Sequence, residues 1–213
     1  MNFNLKRAAI LPIAFFCFST VNVAQETKPT PAQAAKPVTP AAQPAPAASP
    51  APNPFANIPP AKPEDVASID GIVKAIYEVI SGDPGVKRDW NRFRSLFYPN
   101  ARMIPTGKNP NTGKAGGRYI TPEQYIEGSG PYLEKEGFHE IGIAHRVEQF
   151  GNIAHVFTTY QSKHKLTDEK PFMRGINSIQ LVNDGTRWWV LNIAWSQETP
   201  ESPIPEKYLK SAQ

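Results

Sequence analysis

Two turn dipeptides set between β-branched and aromatic runs constrain this chain more than any other feature. Gly151-Asn152 separates His139–Phe150 from Ile153–His164, and Asp184-Gly185 separates Arg174–Asn183 from Thr186–Ser196. Such dipeptides supply the positive φ that a tight hairpin needs, so the last third should be a four-stranded meander. Upstream the period changes. Val66, Ile69, Val73, Ile76 and Ile80 recur at helical spacing, and Gly82 ends the run. A second short helix is expected after Asp89 as N-cap, with Trp90, Phe93, Leu96 and Phe97 on one face. Pro99-Asn100 stops it, and Ala101–Ile104 reads as a short strand. A third helix opens at Thr121-Pro122-Glu123-Gln124, with a capping hydroxyl, proline in the first turn and Gln three residues after the cap. It should end near Gly128 or Gly137. Helices followed by a meander imply a helix-on-sheet α+β fold.

Two segments precede that domain. Residues 1–24 run from Lys6 and Arg7 through an apolar stretch, Ala8 to Phe18, to small and polar residues ending at Ala24, the order of a secretory signal. The apolar stretch is shorter than the ~20 residues a membrane span needs. The single cysteine, Cys17, lies within it, so removal of the signal would leave no disulfide-forming residue. Residues 25–63 hold 12 of the 23 prolines, mostly interleaved with alanine. They read as a disordered Pro/Ala-rich tether, or alternatively as a partner-binding proline helix. The expectation is an exported chain, periplasmic or secreted, with a domain at 64–198, a tail at 199–213 and no membrane span after signal removal. Five of the 23 basic residues and one of the 19 acidic residues precede Glu64, which leaves residues 64–213 with 18 of each. Nucleic-acid binding, which needs a basic excess on the folded domain, is disfavoured.

The order helix, helix, strand, helix and two long hairpins resembles the nuclear-transport-factor-2-like superfamily. The stretch RGINSIQLVNDGTRWWVLNIAWSQE (Arg174–Glu198) is similar to its closing hairpin, and DWNRFRSLFYPNARM (Asp89–Met103) to its second helix and first strand. The resemblance spans Glu64 to Glu198. It implies a cone-shaped α+β fold, with three N-terminal helices packed on a curved, mostly antiparallel sheet around a pocket. It also implies frequent dimerisation through the sheet's outer face. That superfamily holds ketosteroid isomerases, dehydratases, polyketide cyclase-like enzymes and non-catalytic binding modules. The isomerases' Asp base would fall at Met103-Ile104-Pro105, their oxyanion-binding acid near Asn177 and their helical tyrosine near Ala75 rather than Tyr77. Isomerase chemistry by that mechanism is not expected.

Hairpin parity nominates the side chains facing the pocket. A two-residue turn at Gly151-Asn152 pairs Ile143 with Tyr160, His145 with Thr158 and Val147 with Val156. One at Asp184-Gly185 pairs Leu181 with Trp188, Ile179 with Val190 and Asn177 with Asn192. His145 and Tyr160 are then candidate catalytic residues, and Tyr77, Trp90, Asn177, Trp188 and Asn192 complete a ligand-binding set. His139 and His164 could face each other at the hairpin's open end, short of the three ligands a catalytic metal needs. Neither a metal nor a cofactor is expected. The loop Thr106–Tyr119 fails as a phosphate loop because the spacing between Gly107 and Gly113 is one residue too long and Ala115 replaces a hydroxyl. On the opposite face, Trp189, Ile193 and Trp195 are expected to anchor a homodimer. The leading functional expectation is a chain that binds a small apolar molecule. Its rivals are a hydrolase or lyase using a pocket histidine and a non-catalytic dimerisation module.

Overall fold

Ser68 splits the expected first helix in two. Its hydroxyl accepts from the Gly71 amide at 3.0 Å, so the periodic run becomes α1 (Pro63–Val66) and α2 (Ile69–Ile80). Asp89 caps α3 (Trp90–Ser95) by accepting from Arg92 N at 2.9 Å. The capping box at Thr121 and Gln124 starts α4 (Pro122–Glu136), which continues through Gly128 and Pro131 to Gly137 at φ 75°. These elements belong to a computed structural model that describes residues 53–109 and 111–211. The expected signal segment and most of the expected tether lie outside the described residues.

The strands are β1 (Phe97–Lys108), β2 (Ala115–Gly117), β3 (His139–Phe150), β4 (Ile153–Lys163), β5 (Met173–Asn183) and β6 (Trp188–Gln197). They form one sheet in the order β2-β1-β6-β5-β4-β3. Only β1 and β6 pair in parallel; the other pairs are antiparallel. The expected cone is thus corrected: the sheet is open, with β2 and β3 at separate edges, and the described residues form four α-helices rather than three. Among the described residues, no helix is long and apolar enough to cross a membrane.

Both hairpins depart from ideal register through a bulge. In β3–β4 the expected pairs hold from Phe150/Ile153 to Ala144/Thr159. Ile143 is then left over, and Gly142 pairs with Tyr160. The β5–β6 turn is four residues long, because Asp184 Oδ1 accepts from the Thr186 and Arg187 amides at 2.8 and 3.0 Å. Leu181 consequently faces Val190 rather than Trp188. Leu191 is left over in turn, so Gln180 pairs with Asn192 and Ile179 with Ile193.

That second bulge decides which aromatic residues are inside. Ile193 is buried in the core and Trp195 packs against it, so neither can anchor a dimer on the outer face. Trp189 does lie on that face, but Phe55 and Tyr98 cover it at ring distances of 5.4 and 5.8 Å, and Arg187 sits 3.6 Å above it. Phe55 comes from the segment whose composition reads as tether. The tail covers more of the same face: Tyr208 packs edge-on against Phe157, and Thr159 Oγ1 donates to the Tyr208 carbonyl at 2.5 Å. The outer aromatic stripe read from the sequence is therefore satisfied within the chain.

Arg88 fixes the helical layer. Its buried guanidinium donates to the carbonyls of Ile80 and Gly82 after α2 and of Leu133 in α4, at 2.8–3.0 Å, and also to Val86 O. This ties both helix ends to one cation and holds α4 over the inner face of the sheet.

Candidate functional site

Two adjoining hollows between the helices and the inner face of the sheet share a wall. The inner cavity, about 310 Å³, is bounded by α2, α3, α4 and strands β1, β3, β4, β5 and β6. Its apolar wall includes Ile76, Ile80, Met103, Leu133 and Ile193, and Phe93, Tyr125, Phe138 and Trp195 add aromatic surface. The outer groove, about 500 Å³, runs between α2 and β3, with Ile69 and Val73 facing Ile141, Val147 and Leu166.

Glu140 lines both hollows. The bulge at Ile143 puts it there, by turning the start of β3 over so that Glu140 and Gly142 join His145 on the inner face. Asn177 Nδ2 donates to Glu140 Oε1 at 3.0 Å and Ser162 Oγ donates to Oε2 at 3.4 Å. Asn177 also reaches the Tyr77 hydroxyl at 3.4 Å, which in turn is 2.9 Å from Thr158 Oγ1. The Tyr77 ring lies so close to Gly142 that a Cβ there would come within 2.9 Å of it, so a glycine is needed for the partition between the two hollows.

Burial pushes Glu140 up to about 7, and the hydrogen bonds from Asn177 and Ser162 offset only part of that effect. Burial also raises the Tyr77, Tyr125 and Tyr160 phenols, and the nearby Glu140 charge raises each further. Tyr77 is held by Thr158 and Asn177, whereas the Tyr125 and Tyr160 hydroxyls take no hydrogen bond from the described residues. Both tyrosines line the inner cavity and are buried.

The structure brings together only part of the site nominated from sequence. Tyr160 and Asn177 line the inner cavity, and Tyr77 forms its partition. His145 lines the outer groove instead and is exposed, with its backbone amide donating to Ser211 Oγ at 3.3 Å. His145 and Tyr160, expected as a catalytic couple, thus open onto different hollows. Asn192 is turned to the opposite face by the Leu191 bulge. Trp188 is buried in the core and lines neither of these hollows, but a shallower one beside Ser68, Asp70 and Val147. Trp90 packs edge-on against Phe93 and donates to Glu134 at 3.2 Å, also away from both hollows. His139 and His164 do not face each other: His139 pairs with Lys163 and meets Asp83 at 2.8 Å, and His164 stacks on Phe172.

Sequence reasoning missed Glu140, Ser162 and Tyr125. The one available signal was Gly142, since glycine inside a strand often marks a bulge, and a bulge there reverses the parity of Glu140.

No family model matches the sequence, and no curated protein matches it. Solved structures resemble it at low identity. One is a nuclear-transport-factor-2-like protein of unknown function from Silicibacter pomeroyi, 12% identical, with a TM-score of 0.44 over 62% of this chain and 94% of that one. A protein of unknown function with a cystatin-like fold from Nostoc punctiforme is 8% identical, with a TM-score of 0.47 over 63% of this chain and 91% of that one. A hexachlorocyclohexane dehydrochlorinase from Novosphingobium barchaimii is 12% identical, with a TM-score of 0.45 over 62% and 86%. Likeness at this level leaves ligand and chemistry to be read from the chain's own side chains.

Proposed function

We propose that this chain binds a small, largely apolar molecule in the inner cavity, with the polar end of the ligand at Tyr125, Tyr160 and the Glu140–Asn177 pair. The observation that carries this reading is the pair of phenol hydroxyls on the cavity wall that take no hydrogen bond from the described residues, beside the Glu140 carboxyl. Buried polar groups are normally satisfied, and a ligand oxygen or nitrogen would satisfy these. In the same reading the chain is exported, through the signal-like residues 1–24, and its Pro/Ala segment spaces the binding domain from whatever it follows. Binding is favoured over turnover because His145, the expected base, opens onto the other hollow.

Gly128 offers a direct test. It lines the cavity on α4, and a Cβ built there meets nothing within 4 Å. Gly128→Trp should fill the opening without loss of stability, since replacing a helical glycine removes a cost of about 1 kcal/mol. A dye whose emission rises in apolar surroundings should bind the full chain at one saturable site and lose at least tenfold in affinity to the variant. Equal dye binding by a folded Gly128→Trp protein would place the ligand elsewhere.

A further inference from the structure

Glu140 is the single charged residue among the described residues that line the inner cavity. No Lys, Arg or His shares that wall. The donors on its carboxyl, Asn177 Nδ2 and Ser162 Oγ, are both uncharged. The groups packed around it are Tyr77 from α2, Ser81 just beyond that helix, Tyr125 from α4, Tyr160 and Ser162 from β4 and Asn177 from β5. His139, its neighbour in β3, is turned to Asp83. Glu140 is largely shielded from water, and a desolvated carboxylate without a counter-charge carries a penalty that a cation brought in by a ligand would offset.

The rest of the wall suits a cation. Phe93, Tyr125, Tyr132, Phe138, Tyr160 and Trp195 all line the cavity. Aromatic side chains attract ammonium groups by about 0.5–2 kcal/mol each, most strongly where water is excluded. The free Tyr125 and Tyr160 oxygens can also accept hydrogen bonds from N–H donors. An anionic ligand would face Glu140 with no cation to receive it.

We propose that the inner cavity selects a small organic amine, whose ammonium group pairs with Glu140 inside this aromatic wall. The inference rests on the cavity being a ligand site and adds the chemical class of the ligand. A pH signature follows. With Glu140 pushed up to about 7, amine binding at lower pH must displace its proton.

Calorimetry on the full chain tests this, with phenethylamine as probe and phenethyl alcohol and phenylacetate as its neutral and anionic near-isosteres. Phenethylamine should bind tightest and phenylacetate weakest. Amine affinity should fall about tenfold from pH 8 to pH 6, as the ionised fraction of Glu140 falls. Titrations at pH 6 in buffers of different ionisation enthalpy should report proton release. Glu140→Gln, checked for folding by circular dichroism, should lose the preference for amine over alcohol. Alcohol binding as tight as amine, or amine binding unaffected by Glu140→Gln, overturns the amine selectivity and leaves the cavity reading standing. Failure of all three probes at millimolar concentration overturns both.

Discussion

The inner cavity and the outer groove share a wall, yet they differ in how their polar groups are satisfied. In the groove, Lys74 pairs with Glu78 at 3.4 Å, Glu78 also meets Arg92 at 2.8 Å, and His145 is open to water. Apart from Glu140 on the shared wall, the groove's charges meet neighbours or solvent. In the cavity one carboxyl has only uncharged donors, and two phenol hydroxyls take no hydrogen bond from the described residues. The groove is the larger hollow, but size is the weaker guide: polar groups left without protein partners on a cavity wall point to a ligand, and satisfied polarity at a surface does not.

The largest effect that would break this contrast is loss of the cation holding the cavity's roof. Arg88→Ala removes hydrogen bonds to carbonyls at the ends of both α2 and α4 and should cost roughly 3–5 kcal/mol, read by urea denaturation. A loss below ~1 kcal/mol would mean that α4 is held by its apolar contacts alone.

A pH-dependent effect should come next. The folded pKa of Glu140 is raised from 4.5 to about 7, so the fold favours the neutral acid. Its stabilising contribution is complete below about pH 4.5 and is lost as pH rises through 7, a swing of about 3 kcal/mol for a shift of this size. Glu140→Gln should therefore be more stable than the parent at pH 8 and similar to it at pH 4. Thermal melts at both pH values check the sign; a variant less stable than the parent at pH 8 would show that the carboxylate is better solvated than its burial implies.

The smallest expected change concerns the partition. Gly142→Ala places a methyl 2.9 Å from the Tyr77 ring and should cost about 1–2 kcal/mol while perturbing both hollows. An unchanged melting temperature would mean that Tyr77 moves aside freely and that the two hollows communicate.

The elements of this fold were readable because their signals are local. The Asp89 and Thr121 caps, the Gly151-Asn152 turn and the period change near His139 all act within a few residues, whereas the Ser68 cap inside a periodic run went unread. The site was only half readable, because it depends on which face each strand residue takes, and two single-residue bulges decide that. Ile143 turns Glu140 inward and Leu191 turns Asn192 outward while bringing Ile193 and Trp195 in. Nothing in the side chains of Ile143 or Leu191 announces a bulge. The outer aromatic stripe misled for a different reason, since its covers, Phe55 and Tyr208, come from segments whose composition gave no sign of packing.

Methyl NMR during titration with phenethyl alcohol compares the two hollows in one experiment. Ligand in the inner cavity should shift the methyl signals of Ile76, Ile80 and Leu133 in a saturable manner and leave those of Val73, Val147 and Leu166 in place. Saturable shifts confined to Val73, Val147 and Leu166 would put the ligand in the groove and contradict the assignment of the inner cavity as the binding site.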